Sequence, residues 1–307
     1  MVLREVLIMK QIAILSGKGG TGKTSVTASL ASLAKKRAVL VDADVDAPNL
    51  ALVADPEQFF HQSFVSSKKA LVHPDRCQQC LACLGPCQFD AISLSLDYPY
   101  VDPIKCEGCG LCAYLCLVEA ITMEPHTSGY LSASITRWKN NLYHGRLLPG
   151  GENSGKMVTT IREKAEQYAK EKGVEFILID GAPGIGCPVI ASITGCDLAL
   201  LVTEPTLSGI HDLERIWALA KHFQIESWVV VNKSDLSLEN TNKIRKFCQD
   251  NSLPLIAEIP FSDDVVKSMT IGLSAYEYNP NSIFSQQIMN IWNQFINFFQ
   301  KVNSRTE

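Results

Sequence analysis

The sequence predicts an α/β fold, a mostly parallel sheet with helices on both faces, interrupted by a small α+β insertion. Three observations carry this reading. Apolar runs near residues 12 to 15, 38 to 41, 176 to 179, 198 to 202, 228 to 231 and 255 to 259 alternate with helical stretches. Strands buried on both faces read as such continuous apolar runs. The first run leads directly into the glycine-rich stretch GKGGTGKT at residues 17 to 24. Between the second and third runs, Cys77, Cys80, Cys83 and Cys87 are followed by Cys106, Cys109, Cys112 and Cys116 at the same spacing.

Composition is consistent with about two domains, since a chain of 307 residues that is 46% hydrophobic can bury a substantial core. A net charge of -4 gives no global case for nucleic-acid binding. No segment has the apolar length of a membrane span, and the opening MVLREVLIMK lacks the pattern of a secretory signal, so a cytoplasmic protein is expected. Met9 is an alternative start, because the first strand needs only Gln11 to Leu15.

Strand, glycine loop and helix in that order are the context of a Walker A phosphate loop. Gly17, Gly19, Gly20 and Gly22, with Thr21 between them, let backbone N–H groups wrap phosphates at a helix N-terminus. Lys23 reaches the outer phosphates, Thr24 offers its hydroxyl to Mg2+, and Ser25 completes the loop. Further on, AVLVDADVDAPNL carries Asp42, Asp44 and Asp46, FILIDGAPG carries Asp180 and Gly184, LALLVTEP ends an apolar strand at Thr203 to Pro205, and SWVVVNKSD carries Asn232, Lys233 and Asp235.

With its second lysine, Lys18, GKGGTGKT resembles the deviant Walker A loop of the MinD/ParA/Mrp ATPases, the CobQ/CobB/MinD/ParA group that also includes the nitrogenase iron protein. The resemblance implies a P-loop NTPase and an ATP-dependent homodimer in which Lys18 contacts nucleotide across the interface. It implies Mg2+-dependent ATP hydrolysis, with Lys18, Lys23, Asp44 and Asp180 as the catalytic set. Asp44 would orient the attacking water, and Asp180 would support magnesium and sense the γ-phosphate. The NKSD stretch looks like the guanine motif of GTPases, but in MinD-like proteins Asn232 would contact adenine, and the deviant loop favours ATP. The ATPase is expected over residues 1–60 and 130–307.

The cysteine runs repeat at a 29-residue offset, and Asp90, Ala91 and Ile92 recur as Glu119, Ala120 and Ile121, which marks an internal duplication. Disulfides do not suit a chain without a secretory segment, and zinc sites use two cysteine pairs with a longer gap. The segment 70–125 resembles a bacterial-type two-cluster ferredoxin. There, three thiolates of a run hold one [4Fe-4S] cluster and the fourth holds the other. The resemblance implies Cys77, Cys80, Cys83 and Cys116 on one cluster, and Cys106, Cys109, Cys112 and Cys87 on the second. Gln88 and Leu117 stand where the usual proline follows the fourth cysteine. Seven acidic side chains against Arg76 and Lys105 leave this segment at -5, a surface that suits a basic redox partner or is simply solvated; an apo-metalloprotein is the other expected partner.

Cys196 and Cys248 are expected in the core. Cys187 lies seven residues beyond Asp180, where the nitrogenase iron protein has a cluster ligand, but its second ligand has no counterpart between Cys116 and Cys187. Residues 283 to 299 have the pattern of an amphipathic helix with an Asn- and Gln-rich polar face; packing on the core is expected rather than membrane binding. The expected function is an ATP-gated iron-sulfur protein that delivers electrons or assembles metallocofactors. The alternative is a MinD-like positioning or complex-forming ATPase whose cysteine segment senses redox state or docks partners.

Overall fold

A computed structural model describes residues 9–303. The strands are β1 (Lys10–Ser16), β2 (Ala38–Asp42), β3 (Glu57–Val72), β4 (Ile92–Ser95), β5 (Tyr98–Val101), β6 (Ile121–Ile135), β7 (Asn141–Leu147), β8 (Phe176–Pro183), β9 (Leu198–Thr203), β10 (Ser227–Asn232) and β11 (Leu255–Ile259). The helices are α1 (Lys23–Ala34), α2 (Leu50–Ala54), α3 (Leu111–Tyr114), α4 (Ser154–Lys172), α5 (Cys187–Ile193), α6 (Leu207–His222), α7 (Leu238–Asp250), α8 (Asp263–Thr270), α9 (Ala275–Tyr278) and α10 (Ile283–Asn303). The chain divides into two compact units. One holds the residues up to His61, Ser132–Gly145 and everything from Gly155 on; the other holds Gln62–Leu131 and Arg146–Ser154.

All six apolar runs are strands of one sheet, in the order β11-β10-β9-β1-β8-β2-β7-β6-β3. The pairs β1 with β8 and β9, β9 with β10, β10 with β11, and β2 with β8 and β7 are parallel. β1 and β2 are buried along their whole length, and β8 is buried from Phe176 to Ala182. Three strands, β3, β6 and β7, flank the cysteine segment without an apolar run to announce them. Their exposed and buried residues are mixed, so the signal of a doubly covered strand is missing.

α4 buries Met157, Val158, Ile161, Ala165 and Ala169 on one stripe, the 3.6-residue period read from the sequence. α10 turns Phe284, Ile288, Ile291, Trp292, Phe295 and Phe299 into the main core. Trp292 meets Phe176 edge-on at 5.1 Å, and Phe295 stacks on Trp228 at 5.8 Å. The apolar face of this helix is therefore occupied by its own domain. Among the described residues no helix is long and apolar enough to cross a membrane. Cys196 and Cys248 are buried, and burial pushes their thiols up to about 12 and about 11.

In the second unit the duplication extends into the hydrogen bonding. His73 N donates to Ala120 O at 2.7 Å, and Asp102 N, at the equivalent position, donates to Ala91 O at 2.8 Å. Each repeat thus completes the other. Cys77 N and Cys106 N close the same turn onto His73 O and Asp102 O. The core here consists of Ala70, Cys83, Ala91, Val101, Cys106 and Ile121.

Candidate nucleotide site and cysteine cavities

The glycine loop leaves the end of β1 and starts α1 at Lys23, with Gly22 at φ 90° and Gly20 at φ 82°. Only glycine adopts such angles without strain. The loop forms one wall of a cleft of about 970 Å³, counting its open mouth. Gly19, Gly20, Thr21, Gly22, Lys23, Thr24, Ser25, Asp44 and Asn232 all line it. The cleft lies at the carboxyl ends of the parallel strands, where open α/β sheets bind ligands. Thr21 Oγ1 is buried there without a hydrogen-bond partner.

Behind the loop, Asp180 at the end of β8 is fully buried. It accepts from Thr24 Oγ1 at 2.7 Å, from Thr27 Oγ1 at 2.8 Å and from Lys23 Nζ at 3.3 Å. Asp42 is its register partner on β2. Burial first, and then the neighbouring Asp180 charge, push the Asp42 carboxyl up to about 7. Its two oxygens accept from the backbone N–H of Asp44 and of Leu50, both at 3.1 Å, so Asp42 shapes the loop that carries Asp44. Asp44 is half-buried, and burial raises its carboxyl as well, against the pull of Lys23.

Lys18 and Gly17 do not line the cleft. Lys18 Nζ lies 2.7 Å from Glu204 and donates to Thr206 Oγ1 at 3.1 Å and Ser208 Oγ at 2.9 Å. Glu204 also pairs with Lys233, whose Nζ donates to Gly20 O at 2.9 Å. Burial opposes the charge on Glu204, but hydrogen bonds from the two lysines outweigh it and hold the carboxyl below its usual range. Asn232 Nδ2 donates to Thr21 O at 2.8 Å, which ties the end of β10 to the phosphate loop.

The sequence reading missed the opposite wall, where Pro260, Phe261, Val265, Val266 and Met269 present an apolar surface. Asp235 fixes its start by accepting from Phe261 N at 2.7 Å. Asn49 and Pro183 were missed as well. The available signal was topological: Pro260 follows the last strand, at the same sheet edge as the other loops.

In the second unit, one shallow pocket, about 350 Å³ counting its open mouth, is lined by Cys87, Cys106, Cys109 and Cys112. Another, about 370 Å³ counted the same way, is lined by Cys77, Cys80, Cys83 and Cys116. Each gathers three cysteines of one run and the fourth of the other. Backbone N–H groups already point at sulfur: Ala120 N donates to Cys116 Sγ at 3.2 Å and Gln79 N to Cys77 Sγ at 3.5 Å. Burial raises both Cys83 and Cys112; backbone amides, that of Cys83 itself and that of Ala113, offset part of the effect, and neighbouring thiols add a smaller upward push. Among the described residues no three His, Cys, Asp or Glu side chains close on a single-ion site. Four cysteines on one cavity are the kind of donor set that a [4Fe-4S] cluster takes. Cys187 is exposed and is not among the residues that line either cavity.

The family profile described as the CobQ/CobB/MinD/ParA nucleotide binding domain matches residues 12–274. The chain belongs to this family. An uncharacterized protein of Methanocaldococcus jannaschii is 36% identical over 95% of this chain and 98% of its own length. The septum site-determining protein MinD of Thermotoga maritima is 24% identical, covering 91% and 85%. Among solved structures, MinD of Pyrococcus horikoshii, complexed with Mg-ADP, superposes with a TM-score of 0.58 at 20% identity, covering 94% and 96%. That likeness establishes the P-loop α/β fold, and the family is one of nucleotide-binding domains.

Proposed function

We propose that this family member binds and hydrolyses ATP with Mg2+ and carries two [4Fe-4S] clusters in its cysteine unit. The observation that carries the reading is the pair of cavities, each lined by a crossed set of four cysteines. Cys77, Cys80, Cys83 and Cys116 would hold one cluster, and Cys87, Cys106, Cys109 and Cys112 the other. When bound, the clusters supply one-electron storage. The protein's own residues exclude water from Cys83 and Cys106, which are buried, and present amide hydrogens to Cys77 and Cys116.

At the nucleotide site, backbone N–H groups of residues 19 to 24 and Lys23 would cradle the phosphates. The Thr24 hydroxyl would hold Mg2+, Asp180 behind it would orient that hydroxyl and sense the γ-phosphate, and Asp44 would orient the attacking water. Phe261, Val266 and Met269 offer an apolar face for the base beside Asn232. The proposed ATPase spans 1–60 and 130–307 and the ferredoxin-like part 70–125, although Arg146–Ser154 packs with the second unit rather than the first. An ATP-dependent homodimer would bring Lys18 to the partner's nucleotide, and a redox protein or apo-metalloprotein would receive the electrons or clusters in the cytoplasm.

A second reading, a positioning or complex-forming ATPase whose cysteine unit is a docking or redox-sensing module, is favoured by the names of the MinD relatives. One experiment separates the readings. The full chain, purified without oxygen, is assayed for iron, sulfide and Mg-dependent ATP hydrolysis, then titrated redox-wise under electron paramagnetic resonance with and without a non-hydrolysable ATP analogue. Iron-sulfur signals whose midpoints move with nucleotide support ATP-gated electron delivery. Midpoints that ignore nucleotide favour the docking module, and a protein without iron removes the cluster assignment.

A further inference from the structure

Lys69 is a buried cation attached to one cysteine cavity only. Its side chain is 6% exposed, its Nζ donates to the main-chain carbonyl of Cys106, and it forms an ion pair with Glu152. The next residue, Ala70, lines the cavity of Cys87, Cys106, Cys109 and Cys112. The internal duplication provides a control. At the 29-residue offset Ala70 corresponds to Pro99, which lines the other cavity, and Lys69 corresponds to Tyr98. Arg76 precedes Cys77 as Lys105 precedes Cys106, and both are exposed; Lys68, which corresponds to Asp97, is exposed as well and therefore screened by solvent. Glu107, which lines the Lys69 cavity opposite Gln78 in the other, is also exposed and therefore screened by solvent.

A fixed positive charge in a poorly solvated place stabilises whichever state of a neighbouring group carries more negative charge. We propose that Lys69 sets the reduction potential of the cluster site built from Cys87, Cys106, Cys109 and Cys112, raising it, and that Glu152 moderates that effect. The proposal rests on the two-cluster reading above. Reduction adds one electron to the site, so a buried cation hydrogen-bonded to the main-chain carbonyl of the ligand Cys106 favours the reduced form. The paired carboxylate opposes it. The two clusters thereby become inequivalent despite their duplicated ligands, and the one beside Lys69 is the better electron acceptor than it would be without the cation.

The test uses the full chain, titrated anaerobically with dithionite as reductant and ferricyanide as oxidant, each cluster exchanging one electron. Electron paramagnetic resonance reads the two midpoints. Lys69→Met is expected to weaken electron uptake at one cluster about tenfold or more, which is about 59 mV downward for a one-electron couple, and to leave the other in place. Glu152→Gln is expected to move that same midpoint upward, while Lys69→Arg, which keeps the charge, stays near wild type. Should Lys69→Met fail to hold its clusters, Glu152→Gln and Lys69→Arg decide the matter. Midpoints that do not move in Glu152→Gln, or two that move together in any variant, overturn the proposal. A wild-type protein without iron or a resonance signal is a different result, since it removes the cluster reading itself.

Discussion

Asp42 and Asp180 are Cα partners at the ends of β2 and β8, and both carboxyl groups are fully buried. Two carboxylates so placed repel one another, and burial adds to the penalty; Asp42 titrates at about 7 instead of 3.8. The folded state therefore binds more protons than the unfolded chain between these two values. Stability contributed by the neutral Asp42 is fully present below pH 4 and is lost as pH rises through 7. Asp42→Asn, which keeps one of the two acceptor oxygens for the loop amides, removes this slope. Denaturant unfolding of nucleotide- and metal-free protein at pH 5, 6, 7 and 8 should show the wild type losing on the order of a few kcal/mol relative to the variant. An equal slope in both proteins places the titration elsewhere.

Lys18 is held within its own chain by Glu204, Thr206 and Ser208. Reaching a second subunit's nucleotide requires leaving Glu204. Glu204→Gln weakens the hold without removing the side chain. Sedimentation velocity at graded ATP should find the variant dimerising at several-fold lower nucleotide than wild type. Lys18→Ala should retain nucleotide binding but lose dimerisation and about 10²–10³-fold in turnover, the scale for one transition-state donor.

Gly22 is constrained by its backbone angle and by its neighbour. A Cβ there would stand 2.2 Å from Asn232 Nδ2, at φ +90°. Gly22→Ala should cost about 1–3 kcal/mol of stability through the strained angle. It should also break the Asn232 link to Thr21 and reduce ATP affinity by more than tenfold, as read by calorimetry. Retained affinity would mean that Asn232 does not organise the loop.

At two loop positions the duplicated cysteine unit carries left-handed non-glycine residues in one repeat only. Gln79 adopts φ 56° and Leu81 φ 59°, where the second repeat has Gly108 at 66° and Gly110 at 78°. Gln79→Gly relieves a left-handed residue that costs roughly 1–2 kcal/mol, partly offset by the freedom glycine gains when unfolded. A net gain of about 0.5–1 kcal/mol is expected in denaturant unfolding. Gly108→Ala should do the reverse, because its Cβ would stand 2.2 Å from the carbonyl of Lys68.

Crossed ligation makes a specific demand on single variants. Cys87→Ser should release the cluster held with Cys106, Cys109 and Cys112 and leave the other intact, lowering iron from about eight to about four atoms per chain. Cys116→Ser should spare the opposite cluster. Loss of both clusters from either variant would point to shared folding rather than separate sites.

By itself the sequence determined the strand runs of the sheet, the phosphate loop with Lys23 and Thr24, the end-of-strand positions of Asp42, Asp180 and Asn232, and the doubled cysteine spacing. Each of these is written within a few contiguous residues: an apolar run too long to face water, glycines at forced angles, or a repeat at a fixed offset. The tertiary structure alone decided that Phe261 and Met269 wall the nucleotide cleft, that Lys18 is paired with Glu204, and that Lys69 lies buried against Cys106. These relationships join residues remote in sequence. They follow from which strand ends share a sheet edge and which repeat packs on which, and no local propensity encodes either. The strands β3, β6 and β7 escaped the pattern for a related reason, since a strand with mixed exposure loses the unbroken apolar run that reveals a doubly covered one.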